Sequence, residues 1–207
     1  MNGGPTSYFA RFLKDMAQQY HFWYYCAMTY YDDIYEIAVD NYYLISTQQA
    51  QQAGIPSVEL AKLAHRGKLS HVSHGLYRLV RHVPHENDSY AIAVARVGNG
   101  AYLYGESVIA LLNLAPTDPS RIYVASPHRV RGRKVDGLET IVRGEVHDVT
   151  AYEGIPSQEI GSAIRSCIGS VMPERLRAAA ERARNEGYLT PKNYQATIEA
   201  IERHEKA

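Results

Sequence analysis

Between Leu44 and His85 the chain carries five cations, Lys62, Arg66, Lys68, Arg78 and Arg81, against one acid, Glu59. Five minus one leaves a local formal charge of +4, in a chain whose 22 basic and 22 acidic residues otherwise cancel. His65, His71, His74, His82 and His85 are interleaved with them. A nearby polyanion favours the imidazolium form, so these can add charge where it is needed. Long cations among small residues suit a surface laid against phosphates and base edges. The two HxxH spacings, His71/His74 and His82/His85, lack a cysteine or carboxylate at ligand spacing, so no metal site is expected.

Such a surface needs a rigid mount, and the stretch from Ser46 to Leu79 supplies one. Ser46 is a good N-cap, and Gln49 three residues later can reach back to close a capping box. Helix-forming residues run to Ala53, where Gly54 offers the left-handed position after a helix. Ile55 fills the turn, and Pro56 suits the start of a second helix because its missing N–H would be unpaired there anyway. That helix is predicted to run to about Arg66 and stop at Gly67. Leu69–Val72 and Leu76–Leu79, around Ser73, His74 and Gly75, then read as a hairpin. Helix, tight turn, helix and hairpin is the order of a winged helix-turn-helix, whose second helix reads a DNA groove.

On a wheel at about 100° per residue, Leu60, Leu63 and Ala64 form the buried stripe of the second helix. Val58, Lys62, His65 and Arg66 take the opposite side, with Ala61 beside them and Glu59 at the flank. Lys62 and Arg66 are expected in the major groove, with His65 on the same side. Ser57 stands at the helix start, where backbone N–H groups meet a phosphate. Thr47 and Gln48 are expected to touch phosphate from the supporting helix. Lys68, His71, His74 and Arg78 are expected to hold the flanking backbone from the wing. Further on, SPHRVRGRK places Arg129, Arg131, Arg133 and Lys134 in one loop without an acid, a candidate second contact.

Three segments follow from this reading: an aromatic extension over 1–31, the winged helix-turn-helix over 32–85, and a mixed β/α segment over 86–207. The extension holds a short amphipathic helix from about Ser7 to Gln19, then YHFWYYCAMTYY. Eight of the 17 tyrosines lie between Tyr20 and Tyr43, which is either a layer packed over the next domain or a dimer contact. Met28 immediately precedes the DNA-binding unit, so the first 27 residues are expected to be dispensable. Asp32–Asp40 reads as the unit's first helix, with Ile34, Ile37 and Ala38 on one face. The HVPHEND stretch is a linker. Beyond it come a helix over Ser89–Val97, strands at Ala101–Tyr104, Arg121–Ala125, Leu138–Val142 and Val149–Tyr152, and a helix over Glu106–Leu112. Three closing helices follow, over about Gln158–Gly169, Pro173–Glu186 and Pro191–Glu205, the last capped by Thr190. The fold class is α+β.

Other chemistry finds little support. GNG at Gly98–Gly100 is too short for a dinucleotide fingerprint, and no GxxxxGK[ST] occurs. Kinase motifs are missing, and Glu106, Asp118, Asp136 and Glu145 do not stand at nuclease spacing. Hence no catalytic residue and no cofactor are assigned. Cys26 and Cys167 form no CxxC and no disulfide framework, which suits a reducing cytoplasm. Apolar runs such as Ala91–Ala95 are too short to span a bilayer, and no signal peptide is visible.

The segments LISTQQAQQAGIPSVELAKLAHRGKLSHVSHGLYRL, AYLYGESVIALLNL, IYVASPHRVRGRK and VTAYEGIPSQEIGSAI, in this order, resemble the AbiEi family of antitoxins. These are transcription regulators paired with a nucleotidyltransferase-like toxin. The resemblance implies an N-terminal domain that represses its operon at inverted repeats of promoter DNA, and a C-terminal domain needed for antitoxicity. By position the DNA-binding role falls on Pro56–Gly67 and on the wing, Ser70–Arg78. A homodimer on the DNA is compatible with such repeats. Toward the toxin, alternatives stay open: indirect counteraction, direct binding, or an enzyme, for example a kinase, that inactivates it covalently. The aromatic extension lies outside the family's pattern.

Overall fold

A computed structural model describes residues 30–116, 121–128, 137–142 and 148–206. The chain divides into two compact units at His82/Val83. The extension through residue 29 and the Arg129–Lys134 loop lie outside the described residues.

In the first unit, α1 spans residues 30–39. Ile34 and Ala38, one helical turn apart, are fully buried, and Tyr30, Tyr31 and Ile37 pack beside them. The helix thus includes Tyr30 and Tyr31, which the sequence reading left in the extension: their rings have core to cover. The chain then turns sharply. Leu44 N–H donates to Asn41 carbonyl at 2.9 Å, across Tyr42 (φ 54°) and Tyr43 (φ 59°). Two positive φ values make this a type I′ turn, an unusual one without glycine or asparagine at its centre. Each left-handed tyrosine costs about 1–2 kcal/mol. Opposing that cost, the Tyr43 carbonyl accepts from Leu79 N–H at 2.9 Å and its ring lies against the core.

Strand β1 (Leu44–Ser46) leads into α2 (Thr47–Gln52) and α3 (Ser57–His65), followed by β2 (Leu69–Ser73) and β3 (Leu76–Leu79). The sheet order is β1-β3-β2, antiparallel throughout, with Ile45 opposite Tyr77 and Leu69 opposite Leu79. A bulge between His71 and Ser73 shifts the register near the hairpin turn. Ile45, Ala50, Ile55, Leu60, Leu63, Leu69 and Leu79 join Ile34 and Ala38 in one core. This is the winged helix-turn-helix order.

The second unit is a five-stranded sheet with helices. Its elements are α4 (Asp88–Val97), β4 (Tyr102–Leu103), α5 (Glu106–Leu111), β5 (Ile122–Ser126), β6 (Leu138–Val142), β7 (Val149–Tyr152) and β8 (Ile155–Gln158). The last three helices are α6 (Ile160–Ser166), α7 (Pro173–Asn185) and α8 (Pro191–Glu205). The strand order is β6-β5-β4-β8-β7. The β4/β8 and β5/β6 pairs are parallel and the others antiparallel, so the sheet is mixed. Ile160, Ala163 and Ile164 of α6, Leu176, Ala179, Ala180 and Ala183 of α7, and Ile201 of α8 are buried at no more than 1% exposure. Alanines every third or fourth residue let helices approach closely. The whole is α+β, with a winged helix first and three helices last.

Residues Pro156–Gln158 differ from the expectation. The sequence reading ended its last strand at Tyr152 and began a helix at about Gln158. Instead β8 runs to Gln158, and Glu159 caps α6 by accepting from Ser162 N–H at 3.0 Å. A proline inside a central strand argues against a strand locally. It is tolerated because β8 meets β4 only at Leu103↔Ser157.

Candidate nucleic-acid interface

The capping box at the start of α2 forms as its residues dictate. Ser46 Oγ accepts from Gln49 N–H at 3.1 Å, and Gln49 Oε1 accepts from Ser46 N–H at 2.9 Å. Both helices of the motif end in the same way. After α2, Gly54 takes φ 77°, Gly54 N–H donates to Gln51 and Ile55 N–H donates to Ala50 at 2.8 Å. After α3, Gly67 takes φ 70°, Gly67 N–H donates to Ala64 and Lys68 N–H donates to Leu63 at 2.9 Å. Two such left-handed terminations satisfy the last carbonyls of each helix and fix where the chain goes next. The first drives Ile55, 1% exposed, into the core between the helices.

That mounting leaves a defined outer face on α3. Ser57, Val58, Ala61, His65 and Arg66 are exposed, whereas Leu60 and Leu63 are buried. Lys62 is half-exposed, and its ammonium lies 2.7 Å from Glu59 Oε1. Glu59 is therefore more than a flank residue: it offsets part of the charge at this position. The pairing follows an i,i+3 spacing that the sequence displays, and such surface pairs contribute about 0–1 kcal/mol.

The hairpin stands beside α2. Thr47 N–H donates to Gly75 carbonyl at 2.8 Å. A Cβ added at Gly75 (φ +70°) would lie 2.9 Å from Thr47 Oγ1. Glycine is required there both for the backbone and for the close approach. His74, at the turn, is exposed; His71, also exposed, meets Tyr77 edge-on at 5.3 Å. Lys68 is exposed with its ammonium 5.9 Å from the Tyr31 ring, so an aromatic of α1 supports a cation of the interface. Arg78 is half-buried with Nη1 3.1 Å from His82 Nε2, engaged at the base of the hairpin instead of standing out from its tip. Gln48 is exposed in the first turn of α2. The structure thus gathers Thr47, Gln48, Ser57, Lys62, His65, Arg66, Lys68, His71, His74 and Arg78 onto one small unit. Arg129, Arg131, Arg133 and Lys134 fall outside the described residues. Tyr31 is the contributor that sequence reasoning missed, since its contact with Lys68 across the fold carries no local signal.

In the second unit the polar side chains serve one another. Ser162 Oγ donates to Asp148 Oδ2 at 2.9 Å and accepts from Arg165 Nη2 at 2.8 Å. Arg165 Nη1 also donates to Thr197 Oγ1 at 3.1 Å, joining α6 to α8. Gln158 accepts from Gly105 N–H at 3.1 Å and donates to Ser166 Oγ at 3.0 Å. A serine whose oxygen already accepts from a guanidinium is a poor nucleophile. Burial, and secondarily the charge of Glu106, pushes the Cys167 thiol up to about 12, so it stays protonated and unreactive at neutral pH. Burial also raises the phenols of Tyr90 and Tyr152. Among the described residues no group of three or more His, Cys, Asp or Glu could hold a metal ion. None of the described helices is long and apolar enough to cross a membrane.

Residues 32–80 match the family model described as "Transcriptional regulator, AbiEi antitoxin". This segment is similar to a transcriptional regulator of the AbiEi antitoxin type. The match begins in α1 and ends just after β3, so it covers the helix-turn-helix and its hairpin. Among solved structures, the chain is similar to the RV2827C protein from Mycobacterium tuberculosis, at 15% identity and a TM-score of 0.41. That alignment covers 83% of this chain and 81% of the other. No match was found among curated proteins.

Proposed function

We propose that the protein is an autorepressing antitoxin: its AbiEi-type domain binds inverted-repeat promoter DNA, and its second unit counteracts a nucleotidyltransferase-like toxin. The observation that carries the DNA half is the exposed face of α3 beside a basic hairpin in a segment that matches a transcriptional regulator. In this reading Arg66 and Lys62 reach the major groove, with Lys62 exchanging Glu59 for a base edge or phosphate. Ser57 and the first N–H groups of α3 meet a phosphate, as do Thr47 and Gln48 at α2. Lys68, His71 and His74 follow the flanking backbone, and Arg78 holds the hairpin base from within. The loop of Arg129, Arg131, Arg133 and Lys134 extends the footprint. Two copies on an inverted repeat place two α3 helices about one helical turn apart.

Replacing Lys62 or Arg66 by Ala is expected to weaken binding to the protein's own promoter by about 1–3 kcal/mol if base edges are read. Electrophoretic shifts at two salt concentrations measure this, and a nonspecific duplex run alongside separates base reading from phosphate contact. The same variants should still rescue cells from the toxin, because the proposal assigns that task to the second unit. Unchanged promoter binding would overturn the DNA half; rescue by residues 1–82 alone would overturn the toxin half.

A further inference from the structure

The centre of the outward face of α3 is occupied not by a cation but by Val58. It is 53% exposed, one of few large hydrophobic side chains among the described residues left in solvent. At about 100° per residue it lies about 140–160° from both Leu60 and Leu63, and only about 20° from His65 one helical repeat later. Lys62 and Arg66 stand to one side of that line, and Ala61 to the other. Val58 is also the second residue of α3, in the first turn, which is where a recognition helix presents side chains to base edges. Ala61, exposed three residues on, extends the apolar strip without crowding it. Nothing described in the fold uses the Val58 side chain.

Resting on the DNA-binding reading above, we infer that Val58 is a specificity-determining residue that contacts the 5-methyl group of thymine in the major groove. The site therefore selects A·T pairs at the position facing the first turn of α3. Of the base edges, the thymine methyl is the one apolar group, and an aliphatic side chain is its complement. A polar edge at that position would lose water to a side chain that offers no hydrogen bond in return. Lys62, paired with Glu59 at its side, is displaced toward the neighbouring pairs and so leaves the centre to the valine.

The test uses the full-length protein and a duplex enriched from a randomised library. That duplex is then synthesised with thymine or with uracil throughout, which removes only the methyl groups. Wild type should bind the uracil duplex about fourfold more weakly for each contacted methyl. Val58→Ala should bind both duplexes alike, with an unchanged salt dependence because phosphate contacts remain. Val58→Thr, which keeps one methyl, should retain part of the preference. As Val58 is exposed, thermal melts of the variants should match wild type. A wild type indifferent to uracil, or a Val58→Ala variant with undiminished preference, overturns this inference and leaves DNA binding standing. If no duplex is enriched at all, the DNA-binding reading falls and this inference falls with it.

Discussion

Arg66 and Lys68 of the first unit are exposed, whereas Arg165 of the second unit is drawn between Ser162 and Thr197. Both units are rich in polar groups, but they use them in opposite ways. In the second, a chain of side-chain hydrogen bonds runs from Asp148 through Ser162 and Arg165 to Thr197, so donors and acceptors are taken up in joining the start of β7, α6 and α8. In the first, backbone terminations and caps do the joining, which leaves most side chains of α3 and the hairpin for a partner. Around Arg165 charge is structural; at Arg66 and Lys68 it is exposed to solvent. A cation's residue type alone does not distinguish these uses, but its partners do.

Three substitutions test this contrast. Arg165→Ala should have the largest effect on folding. Losing charge-assisted bonds to two hydroxyls should cost the second unit about 1.5–3 kcal/mol, read by denaturant unfolding, with duplex affinity unchanged. A loss of duplex affinity with stability intact would reverse its assignment. Ser46→Ala removes the capping box of α2 and should cost the first unit about 1 kcal/mol. Because Ser46 leads directly into Thr47, that variant should also loosen the hairpin turn, visible as faster amide exchange at Thr47. Lys68→Ala should be the mildest in stability, about 0.5 kcal/mol for the lost contact with Tyr31. Its signature lies elsewhere: affinity should fall evenly across sequences, and the salt slope should drop by about 1. A sequence-dependent loss would mean that the wing reads bases.

The first unit was legible because its instructions are local. Ser46 and Gln49 sit three apart, Gly54 and Gly67 stand one residue beyond the helices they end, and the apolar residues of α3 fall on one stripe. Each of these is set by neighbours in sequence. What escaped is set by distant ones. The β8 strand reads as a helix start because Pro156, Ser157, Gln158 and Glu159 favour helix beginnings. Its state is decided by Val149–Tyr152 lining up against it and by Leu103 on the other side. The Tyr42–Tyr43 turn escaped for a similar reason. No residue preference places two tyrosines in left-handed conformations, so only the pairing of β1 with β3 and the packing of the Tyr43 ring against the core explain it. At the candidate interface, residue type was legible and side-chain posture was not. The Lys62–Glu59 pair, the Tyr31 support under Lys68 and the inward posture of Arg78 emerged only with the coordinates.

The contact from Thr47 N–H to the Gly75 carbonyl also bears on how this fold can change. The carbonyl belongs to the hairpin's own bend, so the wing has no slack. Adding a residue at its tip would carry the acceptor away and leave an orphan donor at the first turn of α2. Variation in wing length is thereby coupled to the start of the helix beside it, and the reach of this loop is settled by its neighbour's backbone as much as by its own.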